Sequence, residues 1–580
     1  SRAWQETQNA LAEERLRAWK GNAQLAAAVA ARRQVSLLFA PQQFGKRWFQ
    51  LVSTEAGREP ALYVGDRLGD HASIVVDPNT WPGTAVSLDW FSPSPDGGYV
   101  AFGLCERGSE QSVLYVRETR SGHLLPERIP YTSFGVVAWL PDESGFFYNA
   151  SLGPDTEQPQ KHIFFHRLGE EPTSEPEGAI VREDEEFIFP QVSADGRWVV
   201  AVSSEVEPRP DSIRELAGDR TWQPFLVGCP GTFAGFPHRD TYVAVTTDGA
   251  PRGRVVSIPL ASPHDRSSWV ELVAEGDGVL RGASLVGEHL AIVDLIETHS
   301  RIRIFSLEGR LEDEVPLPGE GTVGLSCGLS HVMMEPMIVP DGDGLLFVFS
   351  DFARPPVLYR YAIGERCLEA LTPPHPHLPG IVANLERCTA RDGAEVTFWV
   401  VRRADVEQPA PTLFHGYGGW NIAYGLPSYL GPLAPFVEAG GVLVLPHLRG
   451  GGEHGEQQWQ EARLEHKQRT FDDLYDVAEA MVDRQISASD RLALVGASNG
   501  GLLAGAALTQ RPNLFRIVVP VVPLLDMLRY GRDPYAAEYA VEYGDPSDPA
   551  FAPVLRAYSP YHNVRDGVRY PATLVVCGDA

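Results

Sequence analysis

Ser498 stands in the pentapeptide Gly496-Ala497-Ser498-Asn499-Gly500, between an apolar run and a stretch of small residues. A serine hydroxyl is a weak nucleophile, so it must stand clear of its strand, near a base and beside backbone amides that can hold an oxyanion. Glycines on both sides permit the sharp turn from strand to helix that this exposure needs. The pattern predicts a nucleophile elbow with Ser498 as the nucleophile; an ordinary structural turn is the alternative.

Elements that could position Ser498 flank it on both sides. Leu492 to Val495 form an apolar run typical of a buried strand, and the small residues after Ser498 let a helix lie close to the sheet until Pro512 ends it. This alternation predicts an α/β sheet with Ser498 at the carboxyl end of a strand, where such sheets place their chemistry. Five further apolar runs are predicted strands of this sheet: Val396 to Val401, Thr412 to Phe414, Val442 to Leu445, Ile517 to Val522 and Thr573 to Val576.

A helical pattern lies between two of these runs, with Thr470 as its predicted N-cap. Its apolar positions recur at helical spacing, which predicts a stripe that packs in the core and is no site of chemistry. These positions are Phe471, Leu474, Tyr475, Ala478, Met481 and Val482.

A different, repeating sequence pattern occupies the chain before this sheet. A turn containing aspartate and glycine, followed by an aromatic and aliphatic run, recurs at Asp96, Asp142, Asp195 and Asp341. The spacing is close to multiples of about 50 residues, a period typical of propeller blades. It predicts six or more blades between residues 35 and 370, and a set of unrelated hairpins is the alternative.

Composition excludes several classes of function. The 580 residues carry 76 acidic and 49 basic side chains, a formal net charge of −27, which argues against nucleic acid and anionic membranes as partners. No apolar run approaches the roughly 18 residues needed to span a bilayer. The 6 cysteines lie far apart without a Cys-x-x-Cys spacing. We therefore expect a soluble acidic protein of a reducing compartment, the cytoplasm, with a periplasmic or secreted location left open.

The proline-rich segment Pro373 to Pro379 is the predicted domain boundary. His375 and His377 lie in it, but no carboxylate or thiol set accompanies them, so we interpret them as linker residues and predict no metal site and no cofactor. The predicted organisation is a helical segment at 1–33 that packs on the catalytic domain, a β-propeller at 34–372 and a catalytic domain at 373–580.

A glycine-rich loop at His415 to Asn421 follows a predicted strand, upstream of Ser498. Hydrolases of this kind place a second oxyanion donor on such a loop. Tyr417 is the candidate donor, and an ordinary buried tyrosine is the alternative.

The accumulated motifs resemble the prolyl oligopeptidase family of serine peptidases over nearly the whole chain. Five of them occur in one order: His415-Gly416-Tyr417-Gly418-Gly419-Trp420-Asn421, Arg449-Gly450-Gly451-Gly452-Glu453-His454-Gly455, Phe471-Asp472-Asp473, Gly496-Ala497-Ser498-Asn499-Gly500-Gly501 and Ser559-Pro560-Tyr561-His562-Asn563. The resemblance implies an α/β-hydrolase fold, with a doubly wound, mostly parallel sheet, joined to a seven-bladed propeller that filters substrates by size. It implies short peptides as substrates, a monomer, Ser498 as the attacking group, and Tyr417 with the Asn499 amide as the oxyanion hole.

The same resemblance implies an apolar pocket for proline lined by Trp420, Leu524, Tyr539 and Tyr543. Tryptophan at 420 replaces the family's usual phenylalanine, and Tyr539 replaces the tryptophan that stacks on proline. These departures leave the sister group that cleaves after basic residues as the alternative, with Glu538 and Glu542 as the nearby carboxylates that would bind a basic side chain.

The acid and base of a triad are harder to find. His562 is the one histidine after Ser498, and with it the acid would come from Asp526, Asp533, Glu538, Glu542, Asp545 or Asp548. The resemblance instead implies a structural role for His562 and places the catalytic aspartate just past Asp579 and Ala580, with the histidine further on. We therefore expect a chain truncated at both ends, and 580 residues that are inactive or poorly folded by themselves.

Three functions stay open at this stage. The favoured one is a serine oligopeptidase that cleaves short peptides after proline. An oligopeptidase acting after basic residues, or a catalytically inactive propeller protein that binds peptides or partners, are the alternatives. A small-ester hydrolase fits the elbow but leaves the propeller without a purpose.

Overall fold

The structure is a computed structural model that describes residues 2–35, 38–53, 58–109, 111–154, 160–180, 187–204, 206–218, 221–324, 336–532 and 536–578. Its α-helices are α1 (Arg2–Ala18), α2 (Asn22–Gln34), α3 (Ala434–Glu438), α4 (Glu456–Gln460), α5 (Gln468–Asp483), α6 (Asn499–Gln510), α7 (Ala536–Tyr543), α8 (Ala552–Tyr558) and α9 (Pro560–Asn563). None of these described helices combines the length and apolar character needed to cross a bilayer. Helix α2 packs against α3, and Arg32 Nη2 lies 2.5 Å from Glu438 Oε1.

Seven antiparallel sheets form the blades of a β-propeller. Asp96, Asp142, Asp195 and Asp341 lie at hairpins between successive strands of a blade, so the prediction from the repeated turn is confirmed. The strands by blade are β1 (Gln42–Phe44), β2 (Arg47–Val52), β3 (Ala61–Gly65), β4 (Ser73–Val76); β5 (Val86–Pro93), β6 (Tyr99–Glu106), β7 (Val113–Glu118), β8 (Leu124–Ile129); β9 (Val137–Trp139), β10 (Gly145–Ser151), β11 (Lys161–Arg167); β12 (Ile188–Val192), β13 (Trp198–Ser203), β14 (Arg209–Glu215), β15 (Gln223–Pro224); β16 (Phe233–His238), β17 (Thr241–Thr246), β18 (Arg254–Pro259), β19 (Val270–Val273); β20 (Val279–Val286), β21 (His289–Ile296), β22 (His299–Ser306), β23 (Leu311–Glu314); and β24 (Thr322–Val323), β25 (Val339–Asp341), β26 (Gly344–Ser350), β27 (Val357–Ala362), β28 (Cys367–Ala370).

The core of the propeller lies between blades. Each blade shares a buried hydrophobic cluster with the next one, as Trp90 does with Phe146 between the second and third blades. The ring closes the same way, because Leu346 and Val348 of the seventh blade pack with Trp48 of the first. Burial of apolar area across every blade junction therefore stabilises the ring.

The remaining strands form one mixed sheet in the order β29-β30-β32-β31-β33-β34-β35. Five neighbouring strands of this sheet, β32, β31, β33, β34 and β35, are parallel. Strands β29 and β30 add an antiparallel hairpin at one edge. The strand bounds are β29 (Ile381–Thr389), β30 (Glu395–Arg403), β31 (Thr412–His415), β32 (Val442–Pro446), β33 (Leu492–Ala497), β34 (Ile517–Val521) and β35 (Ala572–Thr573). This is the doubly wound, mostly parallel sheet that the sequence predicts, joined to a seven-bladed propeller.

Helix α5 presents its predicted stripe to the sheet. Phe471, Leu474 and Met481 are among its buried side chains, as the helical spacing predicts. The prediction of Thr470 as N-cap is wrong, because the helix begins at Gln468 and the Thr470 hydroxyl donates to Arg449 O at 2.8 Å. A threonine near a helix start can serve a neighbouring loop as readily as its own helix.

The propeller contacts the mixed sheet and its loops through several blades. Trp399 Nε1 donates to Thr298 Oγ1 at 2.9 Å, and Thr322 Oγ1 donates to Pro427 O at 3.0 Å. Glu456 N donates to Pro251 O at 3.0 Å, so helix α4 begins against a loop of the fifth blade. The bond of Trp399 joins the propeller to strand β30, and the other two place it over loops that follow β31 and β32.

Leu346→Ala tests whether the first and seventh blades close the ring by packing. Leu346 is fully buried between these blades, so the truncation should lower the free energy of unfolding by about 2–5 kcal/mol. Urea denaturation followed by tryptophan fluorescence measures the loss. Leu311→Ala is the control, since Leu311 is 54% exposed and its truncation should cost far less. Equal losses in the two variants would contradict the proposed closure.

Candidate active site

Ser498 occupies the turn between β33 and α6 in a left-handed backbone conformation, with φ 55° and ψ −118°. Its N–H donates to Val521 O on β34 at 2.9 Å, and its carbonyl accepts from Gly501 and Leu502 at 2.8 and 3.1 Å. A non-glycine residue in this conformation is strained and persists because its surroundings hold it. The sheet and the helix together thus hold Ser498, the predicted nucleophile, in a strand-turn-helix geometry.

Glycines beside Ser498 allow close backbone packing. A Cβ on Gly496 would lie 2.2 Å from Gly500 O, and a Cβ on Gly500 would lie 2.5 Å from Gly416 O. Both distances are shorter than van der Waals contact, so any side chain at either position would push the helix or the glycine-rich loop away. The loop therefore lies directly against the start of α6.

Tyr417 lies on this loop, buried, with its hydroxyl near the Ser498 side chain. Burial raises the pKa of the Tyr417 phenol well above its usual value, so the hydroxyl keeps its proton and can donate. Asn499 is the first residue of α6, where backbone N–H groups have no partner within the helix. Asn499 Nδ2 donates to Tyr417 O at 2.6 Å, which ties the two predicted oxyanion donors together.

Tyr424 supports Tyr417 and was not predicted. Its ring stacks on Tyr417 with 5.1 Å between centroids, and its hydroxyl bonds to His415 Nε2 at 3.0 Å. Burial lowers the pKa of His415 to about 4, so this imidazole stays neutral near pH 7. The sequence gives no direct signal for Tyr424, because it lies outside the glycine-rich motif.

Trp420 and Tyr539, both predicted for the pocket, lie edge to face with 5.9 Å between ring centroids. Tyr543 packs on Trp420 at 6.0 Å, and Tyr530, which was not predicted, contacts both Tyr539 and Tyr543. Trp420 and Tyr539 are each partly exposed. The structure therefore brings an aromatic group together beside the loop that carries Tyr417.

The other two predicted pocket residues take different places. Tyr543 is fully buried and donates from its hydroxyl to Asn499 Oδ1 at 2.9 Å, so it lies behind Trp420 as a support. Leu524 follows β34 and packs, partly exposed, against the core of the second sheet. The adjacent Pro523 lies against Gly501 of α6.

His562 is held away from Ser498. Its Nδ1 bonds to Ser559 Oγ at 2.9 Å, and Asp526 Oδ1 lies 3.8 Å from the same nitrogen. Pro560 of the same short helix packs on Gly505, whose place on α6 is roughly 10 Å from Ser498 at 1.5 Å per residue. This arrangement favours the structural role for His562.

The remaining candidate acids are placed as follows. Asp545 Oδ1 and Asp548 Oδ1 accept the N–H groups of Ser547 and Ala550 at 2.7 and 2.8 Å, which are local turn contacts. Glu542 is fully buried and ion-paired with Lys467. Asp533, Asp579 and the side chain of Glu538 lie outside what the structure describes.

Other clusters of titratable groups do not form a metal centre. His447 and His454 both bond to Thr397 Oγ1, at 2.7 and 2.6 Å, beneath the loop that contains Arg449 and Glu453. Burial lowers the pKa of His447 to about 3, so it is neutral. Within the described ranges, no group of three or more His, Cys, Asp or Glu side chains is arranged to hold a metal ion.

Glu453 is a buried carboxylate that sequence reasoning missed as a site residue. Its Oε1 accepts the N–H groups of Tyr424 and Gly425 at 2.9 and 3.2 Å, and no described protein donor reaches its Oε2. Burial raises its pKa to about 7, while its bonds to these amides and the charge of Arg281 oppose the rise. Glu453 thus positions the residue whose ring supports Tyr417.

Comparison with known proteins identifies the family and supports the fold. A model of the prolyl oligopeptidase N-terminal β-propeller domain matches residues 1–372, and a model of the prolyl oligopeptidase family matches residues 428–580. The chain belongs to the prolyl oligopeptidase family. As a member it is a serine peptidase, for which the family implies peptide substrates.

Relatives of this peptidase cover most of its length. It is 28% identical over 559 residues to a prolyl endopeptidase of Elizabethkingia miricola, covering 93% of this chain and 77% of the relative. It is 27% identical over 554 residues to a prolyl oligopeptidase of Omphalotus olearius, covering 88% of this chain and 70% of that one. A solved structure from a structural and mechanistic analysis of two prolyl endopeptidases is 31% identical, with a TM-score of 0.89 over 99% of this chain and 85% of that chain.

Glu453→Gln should change the pH dependence of stability. The pKa of Glu453 is about 7 in the folded protein, against about 4.3 for an unperturbed glutamate. Between these values the folded protein holds a proton that the unfolded chain releases, so the free energy of unfolding falls as pH rises to about 7 and then levels off. The glutamine variant has no such proton to lose. The difference between its denaturation midpoint and that of the wild type should therefore increase as the pH is raised from about 5 to about 8.

The matched control for this comparison is Glu465→Gln, which neutralises an exposed carboxylate. Its midpoint should follow the wild type across the range. A constant difference between Glu453→Gln and the wild type at every pH would contradict the raised pKa.

Proposed function

We propose that this peptidase is an endopeptidase that hydrolyses short peptides on the carboxyl side of proline through an acyl-enzyme on Ser498. The observation that carries the proposal is the juxtaposition of Ser498, the nearby Tyr417 hydroxyl, and the aromatic pair formed by Trp420 on the same loop and Tyr539 on the facing helix. A nucleophile, an oxyanion donor and a slot for a flat ring thus lie side by side.

In the proposed mechanism the Ser498 hydroxyl attacks the scissile carbonyl carbon. The negative charge that develops on the carbonyl oxygen accepts hydrogen bonds from the Tyr417 hydroxyl and the Asn499 amide. Because both donors are fixed before substrate arrives, little reorganisation is needed as the charge forms. Collapse of the tetrahedral intermediate expels the amine and leaves an ester on Ser498, which water then hydrolyses.

The proton of Ser498 needs a base, and we assign that role to a histidine outside the described residues. His562 is engaged with Ser559, and Pro560 of the same short helix packs on Gly505 of α6. The catalytic aspartate that orients the base is assigned outside the described residues for the same reason.

Proline specificity is supported by what surrounds the slot. A pyrrolidine ring lacks an N–H and is recognised by shape and stacking, which Trp420 and Tyr539 can provide. The alternative specificity, cleavage after basic residues, needs a free carboxylate to bind the basic side chain. Glu542 is fully buried and bonded to Lys467 at 2.6 Å. The pocket side chains that the structure describes are therefore aromatic and uncharged, which suits proline better than arginine or lysine.

The wider organisation follows from the same proposal. We propose that residues 34–372 and 373–580 act as two domains, with the propeller restricting entry to short peptides and with residues 1–33 packed on the catalytic domain through α2. The described cysteines form no disulfide, which supports a reducing, cytoplasmic location. We also propose that the protein acts as a monomer.

Peptides with Pro, Ala, Arg or Lys before the scissile bond test the specificity on the full-length protein. The proline peptide should have the highest kcat/KM, and Ser498→Ala should abolish its cleavage. Tyr417→Phe should lower kcat by about 10²–10³-fold with a smaller change in KM, because one oxyanion donor is lost. Highest activity on Arg or Lys would favour the alternative specificity.

His562→Ala serves as the control for the assignment of the base. It should keep most of the wild-type kcat, whereas a loss as large as that of Ser498→Ala would make His562 the catalytic base. No cleavage of any peptide by the full-length protein, with peptide binding retained, would favour the inactive binding protein.

A further inference from the structure

Lys467 and Glu542 form an ion pair that is fully buried beneath the glycine-rich loop. Lys467 Nζ lies 2.6 Å from Glu542 Oε1, and both side chains are 0% exposed. Lys467 precedes α5 and Glu542 lies in α7, so the pair joins two segments that are 75 residues apart. Burial lowers the pKa of Lys467, and the charge of Glu542 opposes this shift.

Both partners also hold the backbone of the loop. Lys467 Nζ donates to Gly418 O at 2.8 Å, and Glu542 Oε2 accepts from Trp420 N at 3.0 Å. Trp459 Nε1 donates to the same carboxylate oxygen at 2.7 Å. The pair therefore fixes the two peptide groups on either side of Gly419, directly between Tyr417 and Trp420.

A contribution to stability does not by itself explain the presence of this buried ion pair. Removing two charges from water is costly, and replacing a buried pair by apolar residues of similar volume is often neutral or stabilising. An apolar pair, however, could neither accept the Trp420 N–H nor donate to the Gly418 carbonyl. What the charges add is the geometry of the loop, where Trp420 has a left-handed φ of 60°.

The neighbour of Glu542 holds the other end of the loop. Tyr543 donates to Asn499 Oδ1, and Asn499 Nδ2 donates to Tyr417 O, at 2.9 and 2.6 Å. Glu542 binds the loop at Trp420 while Tyr543 acts, through Asn499, at Tyr417. Helix α7, which also carries Tyr539, thus sets both the width of the aromatic slot and the place of the oxyanion donor.

We propose that Lys467 and Glu542 are positioning residues that set selectivity for the residue before the scissile bond and align the Tyr417 hydroxyl with Ser498. This inference rests on the proposed peptidase function. It assigns to a buried ion pair, which touches no substrate, control over the distance between Trp420 and the tyrosines of α7. Loss of the pair should lower selectivity as well as rate.

The experiment compares Glu542→Gln and the double variant Lys467→Met/Glu542→Met in the full-length protein. Each is assayed for kcat and KM with matched peptides that have Pro or Ala before the scissile bond, and for its thermal midpoint. We expect kcat/KM for the proline peptide to fall by up to about 100-fold, as for a misplaced catalytic group. We expect the ratio of proline to alanine cleavage to fall at least fivefold, roughly 1 kcal/mol of discrimination.

The double variant separates positioning from stability. Its apolar pair should bring the thermal midpoint back toward the wild type while selectivity stays low. Recovery of selectivity together with the midpoint would overturn the proposal, as would an unchanged proline-to-alanine ratio in Glu542→Gln. If the double variant does not fold, Glu542→Gln decides the question by itself, because glutamine keeps the volume of the side chain.

The control variant is Asp294→Asn in the propeller. Asp294 is also fully buried and pairs with Arg301 and Arg303, so the change should lower the thermal midpoint without altering the proline-to-alanine ratio.

A wild-type protein that prefers another residue would contradict the proposed specificity, and the same variants would then be scored on that preferred residue against alanine. With no peptidase activity at all, the rate at which a fluorophosphonate labels Ser498 reports the alignment with Tyr417, and an unchanged rate in Glu542→Gln overturns the proposal.

Discussion

The left-handed backbone conformation of Ser498 is the constraint on which the rest of the site depends. A hydroxyl that must stand clear of its strand needs this turn, and the turn is held by Val521 on the next strand and by the first amides of α6. Because Gly496 and Gly500 lack side chains, α6 and the glycine-rich loop can both lie against the turn. Close packing at one residue thus brings a strand, a helix and a loop to the point where the chemistry occurs.

Asn499 extends this arrangement from the nucleophile to the pocket. Its backbone belongs to the elbow, while its side chain bonds Tyr417 on one side and Tyr543 on the other. Tyr424 and Glu453 support Tyr417 from behind, and the Lys467–Glu542 pair holds the peptide groups that lead to Trp420. Each predicted site residue on the loop is therefore fixed by a buried polar side chain that comes from another element.

The fold and the elbow turn at Ser498 could be predicted from the sequence because both depend on local patterns. The turns at Asp96 and Asp142 repeat with the blade, and the elbow is encoded in five adjacent residues. Sequence analysis did not reveal Lys467 and Glu542 as a pair, since nothing local links residues 75 positions apart. It also expected Tyr543 to line the slot, whereas the side chain is buried behind Trp420, because the face of a short helix that meets substrate is set by tertiary packing.

The most direct test of this account is a crystal structure of the full-length protein with a short peptide aldehyde that ends in prolinal. The account predicts a covalent bond from Ser498 Oγ to the aldehyde carbon, with the resulting oxygen about 2.7–3.1 Å from both the Tyr417 hydroxyl and the Asn499 amide. The pyrrolidine ring should lie between Trp420 and Tyr539. A ring bound elsewhere, or an oxygen that Tyr417 does not contact, would contradict it.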